Sequence, residues 1–242
     1  MNPSDILLFI ALPYVALFIF LVGSIFRYKF LGFKYSSLSS EFLEQNKLFW
    51  GSVPFHIGIV LIFLGHLIIF IFPKETLFWN TVPVRLIILE AGAFILGLSC
   101  LFGLIALIIR RFTNPRLRIV TSRMDFLVEF LLLAQIILGI WIAYDYRWGS
   151  SWFASVLSPY LISIVTFQPE IQAVSQLPLI VKLHIIGSFL LVLLIPFSRL
   201  VHFLVPPINY IWRPYQQVIW YRSKNRVRNP EEDWGVTRPK NT

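Results

Sequence analysis

Five runs of about twenty apolar residues, separated by polar segments, restrict what this chain can fold into more than any other feature. A helix needs about 20 apolar residues to cross the roughly 30 Å hydrocarbon core of a bilayer. Inside that core each backbone N–H and C=O must be satisfied within the fold, which leaves helices and closed barrels. The runs fall at 6–26, 51–72, 86–109, 126–144 and about 177–205. Barrel strands would alternate apolar and polar over about ten residues, and the runs do not alternate. The expected fold class is all-α, a polytopic membrane helical bundle with five transmembrane helices. Composition agrees: 57% of residues are hydrophobic and 14% charged, against about 25% charged in a soluble domain. Pro13, inside the first run, predicts a kink.

A further apolar stretch, SWFASVLSPYLISIVTFQPE, is interrupted by Pro159 and Pro169 and can be read as a sixth span or a surface helix. Basic residues decide between these. Seventeen of the 21 Lys and Arg lie on segment 27–50, loop 110–123 and the chain from Arg199 onward. The positive-inside rule then puts the N-terminus outside and the C-terminus inside, with five spans. A sixth span would carry the basic tail outside, so 150–168 is expected as a helix on the outer surface. Segment 73–85 reads as a short outer loop. The domain reading is a five-helix membrane domain at 1–207 and a cytoplasmic tail at 208–242. The formal charge of +9 follows this topology, so the partner it implies is membrane lipid and not nucleic acid.

The four histidines all lie in apolar runs. His184 and His202 end HIIGSFLLVLLIPFSRLVH. Eighteen residues make a whole number of helical turns, so one continuous helix would hold both rings on one face about 27 Å apart. His56 and His66 sit in FHIGIVLIFLGHLIIF, about 15 Å apart and rotated by about 80° on an ideal helix. The opposite directions of the two spans level His56 with His202 on the inner side and His66 with His184 on the outer. An imidazole in hydrocarbon needs a partner. Two facing pairs, one per level, is the arrangement of two bis-histidine b haems. The single cysteine, Cys100, and the absence of C-x-x-C-H exclude covalently attached haem. Met1 and Met124 are not placed mid-membrane, so a haem in the bilayer must take histidine on both sides or leave a position open. Gly58, Gly65 and Gly187 lie within a turn of a histidine, where a missing side chain admits a flat macrocycle. Arg199, one turn before His202, reads either as a haem propionate partner or as a snorkelling inner-face arginine.

The stretches FHIGIVLIFLGH, RRFTNPRLR, KLHIIGSFLLVLLIPFSRLVH and VPPINYIWRPYQ resemble the gamma subunit of membrane-bound respiratory nitrate reductase. The resemblance runs from about residue 10 to about residue 222; the tail after about 223 has no counterpart in it. It implies a multi-pass cytochrome b of a prokaryotic plasma membrane, working in anaerobic respiration or nitrate assimilation. Two haem b groups would be held by His66 and His184 (outer iron) and by His56 and His202 (inner iron). Quinol would be oxidised near the outer haem. Electrons would pass to an inner-side iron–sulfur subunit and a molybdenum catalytic subunit. Arg85 aligns with the family's basic residue beside the quinol site, where lysine is expected. Glu90, also near the outer side, reads as structurally paired rather than as an acceptor of quinol protons. Nitrate reduction itself would belong to the partner, since one cysteine cannot ligate an iron–sulfur cluster. The alternatives are the same dihaem subunit serving nitrite oxidation or sulfur metabolism, and a haem-free transporter or anchor with a histidine proton relay.

Overall fold

A computed structural model of the chain describes residues 3–31 and 48–205. The polar segment 32–47 and the tail 208–242 expected from sequence lie outside the described residues. In order, the elements are α1 (Pro3–Phe30), α2 (Leu48–Ile71), a short α3 (Pro73–Trp79), α4 (Pro83–Thr113), a short α5 (Pro115–Ile119), α6 (Arg123–Asp145), α7 (Gly149–Val165) and α8 (Leu179–Phe197). Helices α1, α2, α4, α6 and α8 are long and apolar enough to cross a membrane. The fold is the expected all-α bundle of five such helices.

The helices overrun the apolar runs because their ends are chemically capped. Pro83 opens α4, where its missing N–H is not needed. Asn114 ends it in extended geometry, as the residue before Pro115 must. Ser122 and Asp125 close a reciprocal capping box at the start of α6, with Ser122 N–H donating to Asp125 Oδ2 at 2.8 Å and Asp125 N–H to Ser122 Oγ at 3.2 Å. The loop expected at 73–85 contains α3, which starts at a proline that sequence reading passed over.

Helix α2 packs on α4, α4 on α6, α6 on α8, and α8 on α1. Small residues bring α2 and α4 to backbone contact: a Cβ added to Gly103 would lie 2.6 Å from the Gly51 carbonyl oxygen. Two apolar clusters result. One joins Phe9 and Ala16 of α1 to Ile142, Tyr160, Ile164, Val181, Ile185 and Phe189. The other joins Cys100, Leu104 and Ile136 to Phe55, Ile59 and Ile62 of α2. Helices α2 and α8 form no packed interface with each other.

Helix α7 is about 25 Å long at 1.5 Å per residue, short of a bilayer crossing. It lies where α2 ends and α4 begins, which agrees with a surface helix in place of a sixth span. Ser158 Oγ donates to the Ile69 carbonyl at 3.2 Å, and Asn80 Nδ2 donates to Ser150 and Ser151 Oγ at 3.0 and 2.9 Å. The kink expected at Pro13 takes the form of a π-helical turn at Leu7–Ala11. Pro13 cannot donate to the Phe9 carbonyl four residues back. The buried Tyr160 hydroxyl of α7 donates to it instead, at 2.8 Å.

The fifth span differs from the sequence reading. Its α-helical part stops at Leu194, a 3-10 turn covers Ile195–Phe197, Ser198 is extended, and a second 3-10 segment runs Arg199–Leu204. The single helix expected across 177–205, with His184 and His202 a whole number of turns apart, is therefore not formed. Pro196 removes a helical donor, and the Ser198 side chain accepts from Leu200 N–H at 3.2 Å, starting a new segment. Arg27 of α1 satisfies the carbonyls at the break, donating to Pro196 O at 2.7 Å and Ser198 O at 2.8 Å.

Candidate functional site

His56 and His66 of α2 lie near His202, in the 3-10 segment after α8, and His184 of α8 respectively. The His56 and His202 ring centroids are 6.3 Å apart, with an interplanar angle of 66°. His184 lies within electrostatic reach of His66. His56 comes close to His202 as expected from sequence, although the geometry behind that expectation was wrong for the fifth span. The break at Ser198 lets His202 reach His56 despite the unequal spacing of the two histidine pairs along the chain.

Backbone hydrogen bonds fix how three of the rings point. Nδ1 of His56 lies 2.7 Å from Ser52 O, Nδ1 of His66 2.8 Å from Ile62 O, and Nδ1 of His202 2.7 Å from Arg199 O. A carbonyl only accepts, so each Nδ1 carries the proton and each Nε2 keeps a lone pair. That is the tautomer of a metal-ligating histidine whose second nitrogen is held by the protein. His184 is the exception: its Nδ1 is buried without a hydrogen bond of good geometry.

These residues fit a haem. Among the described residues no three His, Cys, Asp or Glu side chains gather as a metal site, and a porphyrin iron needs only two, because the macrocycle supplies four nitrogens. An iron between two Nε2 atoms would put the ring centroids roughly 6 Å apart, taking about 2 Å per metal–imidazole bond and about 1 Å from nitrogen to ring centre. The 6.3 Å between His56 and His202 matches. His66 exposes more than a third of its surface, so its ring is open to a ligand. Next to it, a Cβ built on Gly65 would meet nothing within 4 Å, so that position faces open room.

The other two glycines do not serve a macrocycle. Gly58 is pressed against α4, where an added Cβ would lie 2.8 Å from Leu96 O. Gly187 faces the Gln135 amide, 2.3 Å from such a Cβ. Both were expected at a haem face; they are instead close-approach positions between helices.

Arg199 is committed to α6 and the turn before it. Its Nε pairs with Asp125 Oδ1 at 3.0 Å and its Nη2 donates to Val120 O at 2.7 Å. Arg111 completes the cluster, 2.8 Å from Glu129 and 3.6 Å from Asp125. These contacts tie the His202 segment to α4 and α6. Arg85, exposed at the start of α4, stacks over Trp79 of α3 with its guanidinium carbon 4.9 Å from the ring centroid. Glu90 is structurally paired, accepting from Ser150 N–H at 2.8 Å and Ser150 Oγ at 2.6 Å at the start of α7. Phe153, one turn further along α7, sits edge-on over His66 with centroids 5.3 Å apart. Sequence reasoning missed Phe153, Trp79 and Gln135; only Gln135, an amide in the middle of a span, carried a signal.

The sequence profile of the nitrate reductase gamma subunit matches residues 5–221. The nitrate reductase gamma chain of Bacillus subtilis (strain 168) is 31% identical over 225 residues, covering 88% of this chain and 96% of that one. The respiratory nitrate reductase 1 gamma chain of Escherichia coli (strain K12) is 33% identical over 211 residues, covering 85% and 93%. The nitrate reductase-like protein NarX of Mycobacterium tuberculosis (strain CDC 1551 / Oshkosh) is 31% identical over 247 residues, covering 94% of this chain but 34% of that longer protein. A match across nearly the whole chain, on a five-span bundle with histidines paired at two levels, makes this protein a member of the nitrate reductase gamma subunit family.

Proposed function

We propose that the chain is the quinol-oxidising dihaem cytochrome b subunit of a membrane-bound respiratory nitrate reductase. The observation that carries this is the pairing of four imidazoles at two levels, three of them held in the Nδ1–H tautomer by backbone carbonyls. His56 and His202 hold the inner iron, and His66 and His184 hold the outer one. The distribution of basic residues along the sequence supports a topology with the N-terminus outside and the C-terminus on the cytoplasmic side of a plasma membrane. When bound, the haems supply one-electron carriers that link quinol oxidation at the outer end to an iron–sulfur subunit and a molybdenum catalytic subunit at the inner end. The chain's own residues orient these carriers and keep the space between α2 and α8 apolar. Gly65 leaves room beside the outer site, and Phe153 covers His66. The cluster of Arg199, Asp125, Arg111 and Glu129 holds the inner ligand segment in place, and Arg199 would pair with a propionate of the inner haem.

A pyridine haemochrome assay on the purified complex is expected to give non-covalent b-type haem at two per chain. A folded complex without haem would overturn this function.

Arg85 is proposed to bind quinol without ligating iron. Its guanidinium carbon lies 4.9 Å over the Trp79 ring, and a guanidinium donates charge-assisted hydrogen bonds to an oxygen-bearing ring. Arg85→Ala is expected to keep both haems and to slow quinol-driven haem reduction by about 10- to 100-fold, the equivalent of one charged hydrogen bond. Unchanged reduction kinetics would make Arg85 an interface anchor only.

A further inference from the structure

The outer ligand His184 is held differently from the other three, and the difference points to α6. Its Nδ1 is buried with no hydrogen-bond partner. The ring is held by its fit against α6. Gly139, one turn on from Gln135, is what lets the ring come that close: a Cβ there would lie 3.2 Å from His184 Cε1 and 3.9 Å from Nδ1. The contact is reciprocal. The Gln135 side chain donates from Nε2 to the His184 carbonyl at 2.9 Å. Its Oε1 fills the place where Gly187 has no side chain, and is buried there without a hydrogen bond. Two glycines thus admit two polar groups: Gly139 of α6 admits the imidazole of α8, and Gly187 of α8 admits the amide of α6.

We propose that Gln135 and Gly139 are positioning residues for the outer haem ligand. The Gln135 amide fixes the backbone that carries His184, and Gly139 admits its ring, so together they set where the imidazole stands and in which plane. The orientation in which surrounding groups hold a ligating imidazole tunes the metal it binds. The histidine pair at the outer level would then be tuned from a neighbouring helix, and the pair at the inner level from the ligands' own segments. This inference rests on the dihaem function proposed above, and it assigns a role to α6, which carries no histidine.

The test uses the complete complex in membranes and reads the haem itself. The outer haem's low-spin electron paramagnetic resonance signal is assigned as the one lost in His66→Ala. In Gly139→Ala the new methyl group pushes against the His184 ring and turns it. The outer signal's largest g-value is expected to move, since it reads the orientation of the axial rings, with the inner haem unchanged. Gly97→Ala is the control. Its Cβ would meet Ile140 Cγ1 at the same 3.2 Å, between α4 and α6, away from any histidine; both haem signals should stay as in the unaltered protein. Gln135→Met removes the amide that anchors the His184 carbonyl and is expected to move the outer signal in the same direction by a smaller amount. It also serves as the reading if Gly139→Ala does not assemble. Two haems per chain with an unmoved outer signal in these variants would overturn the positioning role and leave the dihaem function standing. An equal shift in the Gly97→Ala control would also overturn it, since the effect would then be general packing. No bis-histidine haem in the unaltered complex would overturn the underlying function instead.

Discussion

His202→Ala should convert a chain with two haems into a chain with one, and the surviving haem should be the outer. His202 sits in a 3-10 segment beyond the end of α8, half-buried and outside both apolar clusters. Its removal therefore takes away an axial ligand and little packing. The outer pair is supported separately, by α2 and by the continuous helical part of α8. Quinol should still reduce the remaining haem in this variant, while nitrate should no longer reoxidise it rapidly. His66→Ala should do the reverse, with an inner haem that nitrate oxidises and quinol reduces poorly. Haem quantitation with stopped-flow spectra of both variants separates the outcomes. Two haems in the His202 variant would mean the pairing is wrong. One haem with fast nitrate-driven reoxidation would mean the inner and outer ends are exchanged.

Asp125→Ala should be the most destabilising single change at the inner end. The Asp125 side chain is 6% exposed, closes the capping box of α6, and faces both Arg199 and Arg111. Removing one member of a buried ion pair costs about 3–5 kcal/mol. Both arginines keep roughly a quarter of their surface exposed, so the lower part of that range, ~3 kcal/mol, is expected after solvent screening. A thermal melt of the solubilised complex should show the loss. Inner-haem content should fall with it, because Arg199 no longer fixes the segment that carries His202. Asp125→Asn keeps an acceptor for the Ser122 N–H and should fall in between. A melt and inner-haem content equal to the unaltered protein in Asp125→Ala would show that the cluster does not support the inner site.

What could be read in the sequence followed from local physics. A bilayer demands a length of apolar chain, so five spans and the short α7 were visible from run length and charge placement alone. The histidines stood out because an imidazole is costly in hydrocarbon and all four were there. What could not be read depended on partners far apart in the chain. Nothing near Asp125 names Arg199, 74 positions later, and nothing near Pro13 names the Tyr160 hydroxyl that takes over the orphaned Phe9 carbonyl. The break in the fifth span is a different case. Pro196 and Ser198 were in view, but a helix interrupted at its end has the same hydropathy as one that continues. Gly58 shows the same limit: a glycine beside a histidine is legible, but the direction it faces depends on where α4 lies.

The division of the interior into two apolar clusters, with α2 and α8 unpacked against each other between them, has a thermodynamic consequence. On the function proposed here, two flat and largely apolar macrocycles bridge α2 and the segment from α8 to His202, so each is a building block as much as an electron carrier. Ligands that bind only the folded form stabilise it in proportion to their affinity. Folding and pigment loading are then a single linked equilibrium, and the amount of this protein a cell maintains is tied to how much haem it can supply.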